Sequence, residues 1–599
     1  LNLRWWNMPF MSRAFAEGQE LIVYGRIKEL KGRLFMDHPE YEIMGGEDEA
    51  VQIHTGRITP IYRLRGGVTQ KALRTAAWFV LQVLEDRLTP DVLPVPGTQG
   101  EFGGWTRARA LRQAHFPESL EELEKARRYL ALEEFYAYQL RVVRRRRAML
   151  QAGGHAHPSG PLAREFQQSL PFALTGAQQR SLEEIQRDMA AATPMNRLLH
   201  GDVGSGKTVV AFAAMLGAVE AGKQAALMAP TQILAEQHFL TARKWLEPLG
   251  VRVALRTGTR EEEGGVELFE RRRSSHNGPQ VMIGTHALLH DTELVKNVGL
   301  VVIDEQHKFG VAQRARLIQK GNTPDVLVMT ATPIPRTLTL TIYGDLDVST
   351  IDERPKERGK IITKVRPGAK RDEAAKFLRE QLDQGRQAYL VFPLIEESEK
   401  LDVTAAKKGF EEWSKLLAPH RVGLLHGKMS SEEKDSVMRQ FRAGSVQALV
   451  ATTVIEVGVD VPNATTMFIH HAERFGLAQL HQLRGRIGRG SHTSYCVLFV
   501  DDKDEEAKAR LAILEETTDG FRISEEDLKR RGPGDILGRS QSGQAPLRFA
   551  ELLADTRLVR LARQLAEKTL EQDPQLRSPR LAAVREMVFR EEGPQSMLQ

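Results

Sequence analysis

The sequence predicts an α/β protein with two tandem parallel-sheet domains, a small β-rich module ahead of them and helices behind. Three observations lead there. From about residue 166, short apolar runs alternate with helical stretches: Ala225-Ala226-Leu227-Met228, Val281-Met282-Ile283, Leu300-Val301-Val302-Ile303 and Val326-Leu327-Val328-Met329. A second series repeats the pattern at Ala388–Phe392, Val422–Leu425, Ala448–Val450 and Thr466–Ile469. Short buried strands separated by helices make a parallel sheet covered on both faces, and two series make two domains. Third, Gly201-Asp202-Val203-Gly204-Ser205-Gly206-Lys207-Thr208 lies between Arg197–His200 and the helical Val209–Met215, the strand–loop–helix setting of a phosphate-binding loop.

The elements follow in order. The opening Leu-Asn-Leu-Arg-Trp-Trp-Asn reads as the middle of a β-rich module, so residues ahead of Leu1 are expected. Residues 20–62 alternate apolar and polar positions between glycines, the pattern of a small barrel or sheet. Residues 106–150 read as helix, broken at His115-Phe116-Pro117. Arg144-Arg145-Arg146-Arg147 is either a solvated helix face or a stripe that contacts phosphates. Residues 151–162 are a linker by composition. The segment Ile351–Arg358, with Pro355, joins the two sheets. Expected boundaries are 1–95 for the β module, 96–165 for a helical linker, 166–350 and 351–500 for the sheet domains, and 501–599 for the helical end.

Composition narrows the class. With 599 residues, 41% hydrophobic and 27% charged, the chain is an ordinary globular protein of several domains. No apolar run approaches the ~18 residues of a membrane span, and no secretory signal is visible, so a cytoplasmic protein is expected. A single cysteine, Cys496, excludes an internal disulfide and a thiolate zinc site. The net charge of +6 and pI near 9.2 fit a polyanion partner without requiring one.

The loop dictates a chemistry. Its backbone N–H groups and the helix start would hold phosphates, Lys207 would reach the β/γ-phosphates, and Thr208 would bind Mg²⁺. Asp304-Glu305 follows the strand Leu300–Ile303, at the sheet end where ligands bind. Asp304 would hold the Mg²⁺ and Glu305 would act as general base; standing alone, the pair reads as a helix N-cap. Thr330-Ala331-Thr332-Pro333 closes another strand, either as a phosphate-sensing segment or as a plain turn. Arg486 and Arg489, after Gln482, share one helix face and suit the charge of a transferring phosphoryl group; surface arginines in a Gly-rich turn are the alternative.

These segments, in this order, resemble the motifs of superfamily-two helicases, which implies RecA-like folds for the two sheet domains. Phe172-Ala173-Leu174-Thr175-Gly176-Ala177-Gln178 resembles the adenine-reading motif, with Gln178 on the adenine edge and Phe172 packed nearby. Ala229-Pro230-Thr231, Gly284-Thr285-His286-Ala287, His426-Gly427-Lys428-Met429 and Ala451–Asp460 (with Thr452) resemble its DNA-contacting motifs. Asp304–Val311, Ala331–Thr337, Phe475–Arg486 and Arg531-Gly532-Pro533-Gly534-Asp535, followed by Gln541-Ser542-Gly543, are similar to the bacterial RecG family of branched-DNA helicases.

That resemblance implies a good deal more. It implies a motor driven by ATP and Mg²⁺ that remodels stalled forks and Holliday junctions, and a monomer. A single-stranded-DNA-binding protein is a family-level partner. Residues 1–62 become the remnant of an OB-fold wedge, with Trp6 and Phe10 either stacking on bases or filling the small barrel. Residues 501–599 become a translocation motif, a helical hairpin and loop, in which Arg510, Arg531 and Gln541 couple hydrolysis to movement. Asp535 stands where many relatives have glutamate. Two other readings stay open: a coupling-factor-like translocase that strips a stalled polymerase, and a fork-shape binding protein with a vestigial motor.

Overall fold

The structure is a computed structural model of the chain. It describes residues 1–599 apart from 31, 44–52, 55–56, 65, 84–88, 95–99, 152, 159, 259–260, 264–277, 290–296, 306–322, 332–345, 354, 356–358, 394–398, 453–460, 502, 532–547, 551–554 and 591–599. Two compact units emerge, Leu1–Arg144 with Gln544–Gln599, and Arg145–Gly543. No helix among the described residues is long and apolar enough to cross a membrane.

In the first unit, β1 (Asn2–Arg4), β2 (Leu21–Tyr24), β3 (Ile27–Leu30), β4 (Arg33–Asp37) and β5 (Glu40–Ile43) form two small sheets, ordered β1-β4-β3 and β2-β5. Helices α1 (Gln70–Gln82) and α2 (Arg107–His115) are N-capped by Thr69 and Thr106, whose side chains accept from backbone N–H groups three residues on. The break expected at His115-Phe116-Pro117 separates α2 from the long α3 (Leu120–Gln151). Tyr129, Phe135, Tyr136 and Leu140 of α3 are fully buried. The helix Thr556–Gln572 packs on α3: Tyr136 Oη meets Thr569 Oγ1 at 2.8 Å, and Arg127 binds the buried Asp555 at 2.9 Å.

The second unit holds both parallel sheets. The first contains β6 (Asn196–Gly201), β7 (Gln224–Met228), β8 (Val253–Arg256), β9 (Glu261–Glu263), β10 (Val281–Gly284), β11 (Val298–Asp304), β12 (Asp325–Thr330) and β13 (Asp347–Ile351), in the order β13-β6-β12-β11-β7-β10-β8-β9. Every pairing is parallel except β8–β9. Alternate residues of each strand enter different cores, because side chains alternate across a strand. Leu199, Leu300 and Val302 join one core with α4 (Pro161–Ser169), α5 (Gly176–Met189), α6 (Lys207–Glu220) and α7 (Gln232–Leu246). Leu198, Val301 and Ile303 join another.

The second sheet repeats this with β14 (Ile361–Pro367), β15 (Gln387–Val391), β16 (Val422–Leu425), β17 (Ala448–Ala451), β18 (Ala464–Ile469) and β19 (Ser494–Val500), all parallel, ordered β14-β19-β18-β15-β17-β16. Its helices are α8 (Arg371–Asp383), α9 (Glu399–Leu416), α10 (Ser431–Arg442) and α11 (Leu477–Arg484), followed by the hairpin α12 (Glu505–Glu516) and α13 (Gly520–Arg531).

Two expectations change. The segment read as a linker is docked: Gly154 N donates to Ala192 O, and His157 is buried with Nε2 at 3.5 Å from Asp325. The arginine run is a solvated face only in part: Arg145 is exposed, while two of its neighbours have partners within the protein. Arg144 lies over the Phe589 ring at 4.4 Å, and Arg146 pairs with Asp347 at 2.8 Å.

Candidate active site

Strand order brings the chemistry together. β6, β12 and β11 are neighbours, with Thr330 beside His200 and Asp304 beside Met329 in register. Because all three run parallel, the loops after Gly201, Asp304 and Thr330 leave the sheet at one edge. Gly204 and Gly206 hold φ of 73° and 87°, left-handed values natural to glycine. A Cβ on Gly206 would also strike Gln178 Nε2. The loop leads into α6, placing Lys207 and Thr208 in its first turn. The Ser205 hydroxyl is buried with no hydrogen-bond partner among the described residues.

Lys207 Nζ donates to the carbonyls of Gly201 and Asp202 at 2.7 and 2.9 Å. Burial depresses its pKa, while Glu305, Asp304 and Asp202 pull it back up. Asp304 accepts from His238 of α7 at 2.8 Å. Burial alone would raise the Asp304 pKa, but the His238 bond and the charges of His238 and Lys207 outweigh it and hold the carboxyl below its ordinary value. Glu305 goes the other way, pushed up to about 7 by burial and then by Asp304. Two adjacent carboxyls with opposite shifts can serve different chemistry, one staying charged and the other able to take up a proton near neutrality. Glu305 also holds φ at 51°, a conformation costing a non-glycine residue about 1–3 kcal/mol, and its Oε2 accepts from Ala331 N at 3.5 Å.

Gln178 ties the adenine-reading segment to the loop. Its Oε1 accepts from Thr175 N in a capping box, and its Nε2 donates to Ser205 O at 2.7 Å. Phe172 is half-buried, edge-on to Trp245 at 6.3 Å.

The second domain meets the loop through α11. A Cβ on Gly485 would sit 2.7 Å from Val203 Cβ and Cγ1. His481 Nε2 lies 2.5 Å from Asp202 Oδ1. Gln482 is half-buried on the same helix. The charge of Arg486 acts on Glu305 and that of Arg489 on Lys207, so both guanidinium groups lie within electrostatic reach of the first domain's charged residues.

The remaining candidates are more scattered. Thr231 N-caps α7 and is half-buried. Thr285 and Thr452 are 5% and 1% exposed. The His286 side chain, the Arg531 side chain and Gln541 lie outside what the structure describes, as do residues 306–322 and 332–345. Arg510 donates to the carbonyls of Phe475 and Glu473 at 2.9 and 2.7 Å, bracing α12. Trp6 and Phe10 are 58% and 64% exposed, and the small aromatic cluster is made instead by Trp5, Phe15 and Tyr41.

Sequence reasoning missed His238, His481 and Arg484, all buried. Their signal is a polar residue on an apolar helix stripe: His238 lies among Ala235, Phe239 and Ala242, and His481 and Arg484 lie beside Leu477 and Leu480.

Comparison with known proteins adds the following. The DEAD/DEAH box helicase model matches residues 175–341 and the helicase conserved C-terminal domain model residues 369–491. The RecG wedge domain model matches residues 1–79, and the model for ATP-dependent DNA helicase RecG, domain 3, C-terminal, matches residues 517–590. The ATP-dependent DNA helicase RecG of Synechocystis sp. is 45% identical over 559 residues, covering 92% of this chain and 66% of that protein. That of Bacillus subtilis is 42% identical over 590 residues, covering 98% and 84%. A solved structure of RecG bound to a three-way DNA junction superposes with a TM-score of 0.70 at 41% identity, covering 94% of this chain and 73% of that one.

Proposed function

Because the chain belongs to the RecG family of ATP-dependent DNA helicases, we propose that it is a double-stranded-DNA translocase that remodels branched DNA, regressing stalled forks and migrating Holliday junctions in recombination and repair. The observation that best supports this is the seating of α11 on the phosphate loop, with Gly485 against Val203 and His481 on Asp202. One chain thereby carries both halves of a nucleotide cleft. The similar RecG seen on a three-way junction supports branched DNA as the substrate.

In this reading the N–H groups of Gly201–Gly206 and the start of α6 cradle the triphosphate, and Lys207 neutralises it. The cradle fits: its glycines leave the backbone open, and the buried Ser205 hydroxyl lacks a partner among the described residues. Thr208 and Asp304 are hard oxygen donors suited to Mg²⁺, which when bound would neutralise charge on the β- and γ-phosphates. His238 orients Asp304 for that task. Glu305, its basicity raised, takes a proton from the attacking water. Gln178 and Phe172 flank the adenine. Arg486 and Arg489, with Gln482, stabilise the transition state, where an inserted arginine is worth ~10³–10⁵ in rate. Closure completes this constellation and hydrolysis reopens it.

DNA lies across both domains on phosphate contacts, so binding weakens with salt and ignores sequence. Thr231 and the backbone around Thr285, His286 and Thr452 serve that path. Arg510, Arg531 and Gln541 couple it to hydrolysis, and Trp6 and Phe10 stack on the opened bases. The enzyme acts as a monomer in the cytoplasm, with a single-stranded-DNA-binding protein as recruiting partner.

Lys207→Ala tests the cleft. ATP hydrolysis on forked DNA should vanish while fork binding persists; a variant hydrolysing at the parent rate overturns the assignment. A parent that binds forks but hydrolyses no ATP on them would favour the fork-binding reading with a vestigial motor instead.

A further inference from the structure

In the proposed motor, hydrolysis at the phosphate loop has to reach the α12–α13 hairpin. α11 carries a hydrogen-bonded path between them that runs beside Arg486 and Arg489 rather than through them. Asp202 Oδ1, in the loop, meets His481 Nε2 at 2.5 Å. On the other side of that ring, His481 Nδ1 meets an Arg484 Nη at 2.9 Å. A guanidinium only donates, so Nδ1 must accept, the ring proton sits on Nε2, and Nε2 donates to Asp202. The tautomer is fixed at both ends, and the path has a polarity: guanidinium, imidazole, carboxylate.

Arg484 is anchored in turn. Its other Nη donates to Leu514 O at 2.7 Å and Thr517 O at 3.0 Å, with Thr363 Oγ1 at 3.3 Å. Leu514 lies in the last turn of α12 and Thr517 is its C-cap. Carbonyls there have no partner within the helix, and a cation suits that end of its dipole. His481 and Arg484 are each 2% exposed and Asp202 6%, so little water competes for these bonds. A separate contact runs parallel: the ring of His200, at the end of β6, lies edge-on to Phe521 of α13 at 4.8 Å. Asp527 of α13 also accepts from Leu477 N and Ala478 N, tying the hairpin to the start of α11.

We infer that His481 is a positioning residue that makes the phosphate loop and the hairpin shift as one, with Arg484 as its anchor. Displacement of Asp202 pulls the imidazole, the imidazole pulls the guanidinium, and the guanidinium grips the carbonyls that end α12. The inference deepens the motor reading and rests on it.

The test measures ATP turnover and strand separation in one reaction, on forked DNA, with the full chain. His481→Phe keeps a ring and removes both nitrogens. Strands separated per ATP should fall roughly tenfold or more, the size of one lost charge-assisted hydrogen bond, while KM for ATP stays within about threefold. His481→Gln, which keeps a donor and an acceptor, should recover part of the loss. Arg484→Lys should fail like Arg484→Met, because charge without the fork cannot serve imidazole and carbonyls together. The double variant His481→Phe/Arg484→Met should be no worse than the worse single, as for one path.

An unchanged yield per ATP in His481→Phe overturns the inference. So does a yield that stays normal while KM and melting temperature shift, which is the mark of a merely structural role. A parent that hydrolyses no ATP on forks overturns the motor reading and the inference with it. A coupled parent beside an equally coupled His481→Phe overturns the inference alone.

Discussion

Gly485→Ala separates local stability from domain closure. Gly485 ends α11 at φ −66° and ψ −7°, so its backbone does not need glycine. On helix propensity alone, alanine would be favoured by about 1 kcal/mol. The objection is spatial: the new Cβ would lie 2.7 Å from Val203 Cβ and Cγ1. Val203 is 7% exposed and sits in the loop between Asp202 and Gly204, with little room to retreat. Overpacking of this kind costs about 1–3 kcal/mol. It is felt only when the second domain lies on the loop, so the closed population should fall about 5- to 150-fold. DNA-stimulated ATP turnover at saturating ATP should fall within that window. Scanning calorimetry should show melting unchanged or slightly raised. Val203→Gly in the same chain removes the opposing carbons and should recover part of the turnover. Parent-level turnover in Gly485→Ala would refute the premise that α11 must seat on this loop for catalysis.

Three further outcomes are expected. Glu305→Gln cannot accept a proton from water, so kcat should fall ~10²–10⁴ with little change in KM for ATP; an unchanged kcat would remove Glu305 as the base. Trp6→Ala or Phe10→Ala should cut strand separation about 5- to 150-fold, matching ~1–3 kcal/mol of stacking per base, and spare DNA-stimulated ATP turnover; equal separation by both variants rules out the stacking role. His470 stacks between Phe392 and Phe499, and burial holds its pKa down to about 3. The unfolded chain therefore takes up a proton between pH 6.5 and 3 that the fold refuses, and stability declines as pH drops through that window. His470→Phe should flatten this part of the melting profile; identical profiles for parent and variant contradict the assignment.

What the sequence made legible was mostly local. Leu300–Ile303 reads as a buried strand because four apolar residues precede an acidic pair, and backbone pairing needs no knowledge of the partner strand. The break at His115-Phe116-Pro117 was equally plain, since proline acts within a few residues. The phosphate loop was visible because its glycines, lysine and threonine are consecutive. The pairs that orient the site were not, because each joins distant segments: His238 and Asp304 are 66 residues apart, His481 and Asp202 are 279. Composition also misled. Gly, Pro and Ser at 151–162 suggested a free linker, yet one buried histidine and a few backbone bonds hold it down. The partners of Arg146 and Arg144, Asp347 and Phe589, lie far along the chain, so the sequence around the arginine run does not announce them.

The packing of helix Thr556–Gln572 on α3 has a consequence for how the protein is made. Tyr136 and Thr569 are 433 positions apart, and Arg127 and Asp555 are 428. At the ~5–20 residues per second of a ribosome, α3 emerges roughly 20 to 90 seconds before the helix that covers it. Through that interval the tyrosine and leucine face of α3 has no native cover, so a nascent chain is most vulnerable there to aggregation and to chaperone capture. Slowing elongation after the Gln151 codon should therefore lower soluble yield more than slowing it before Leu120.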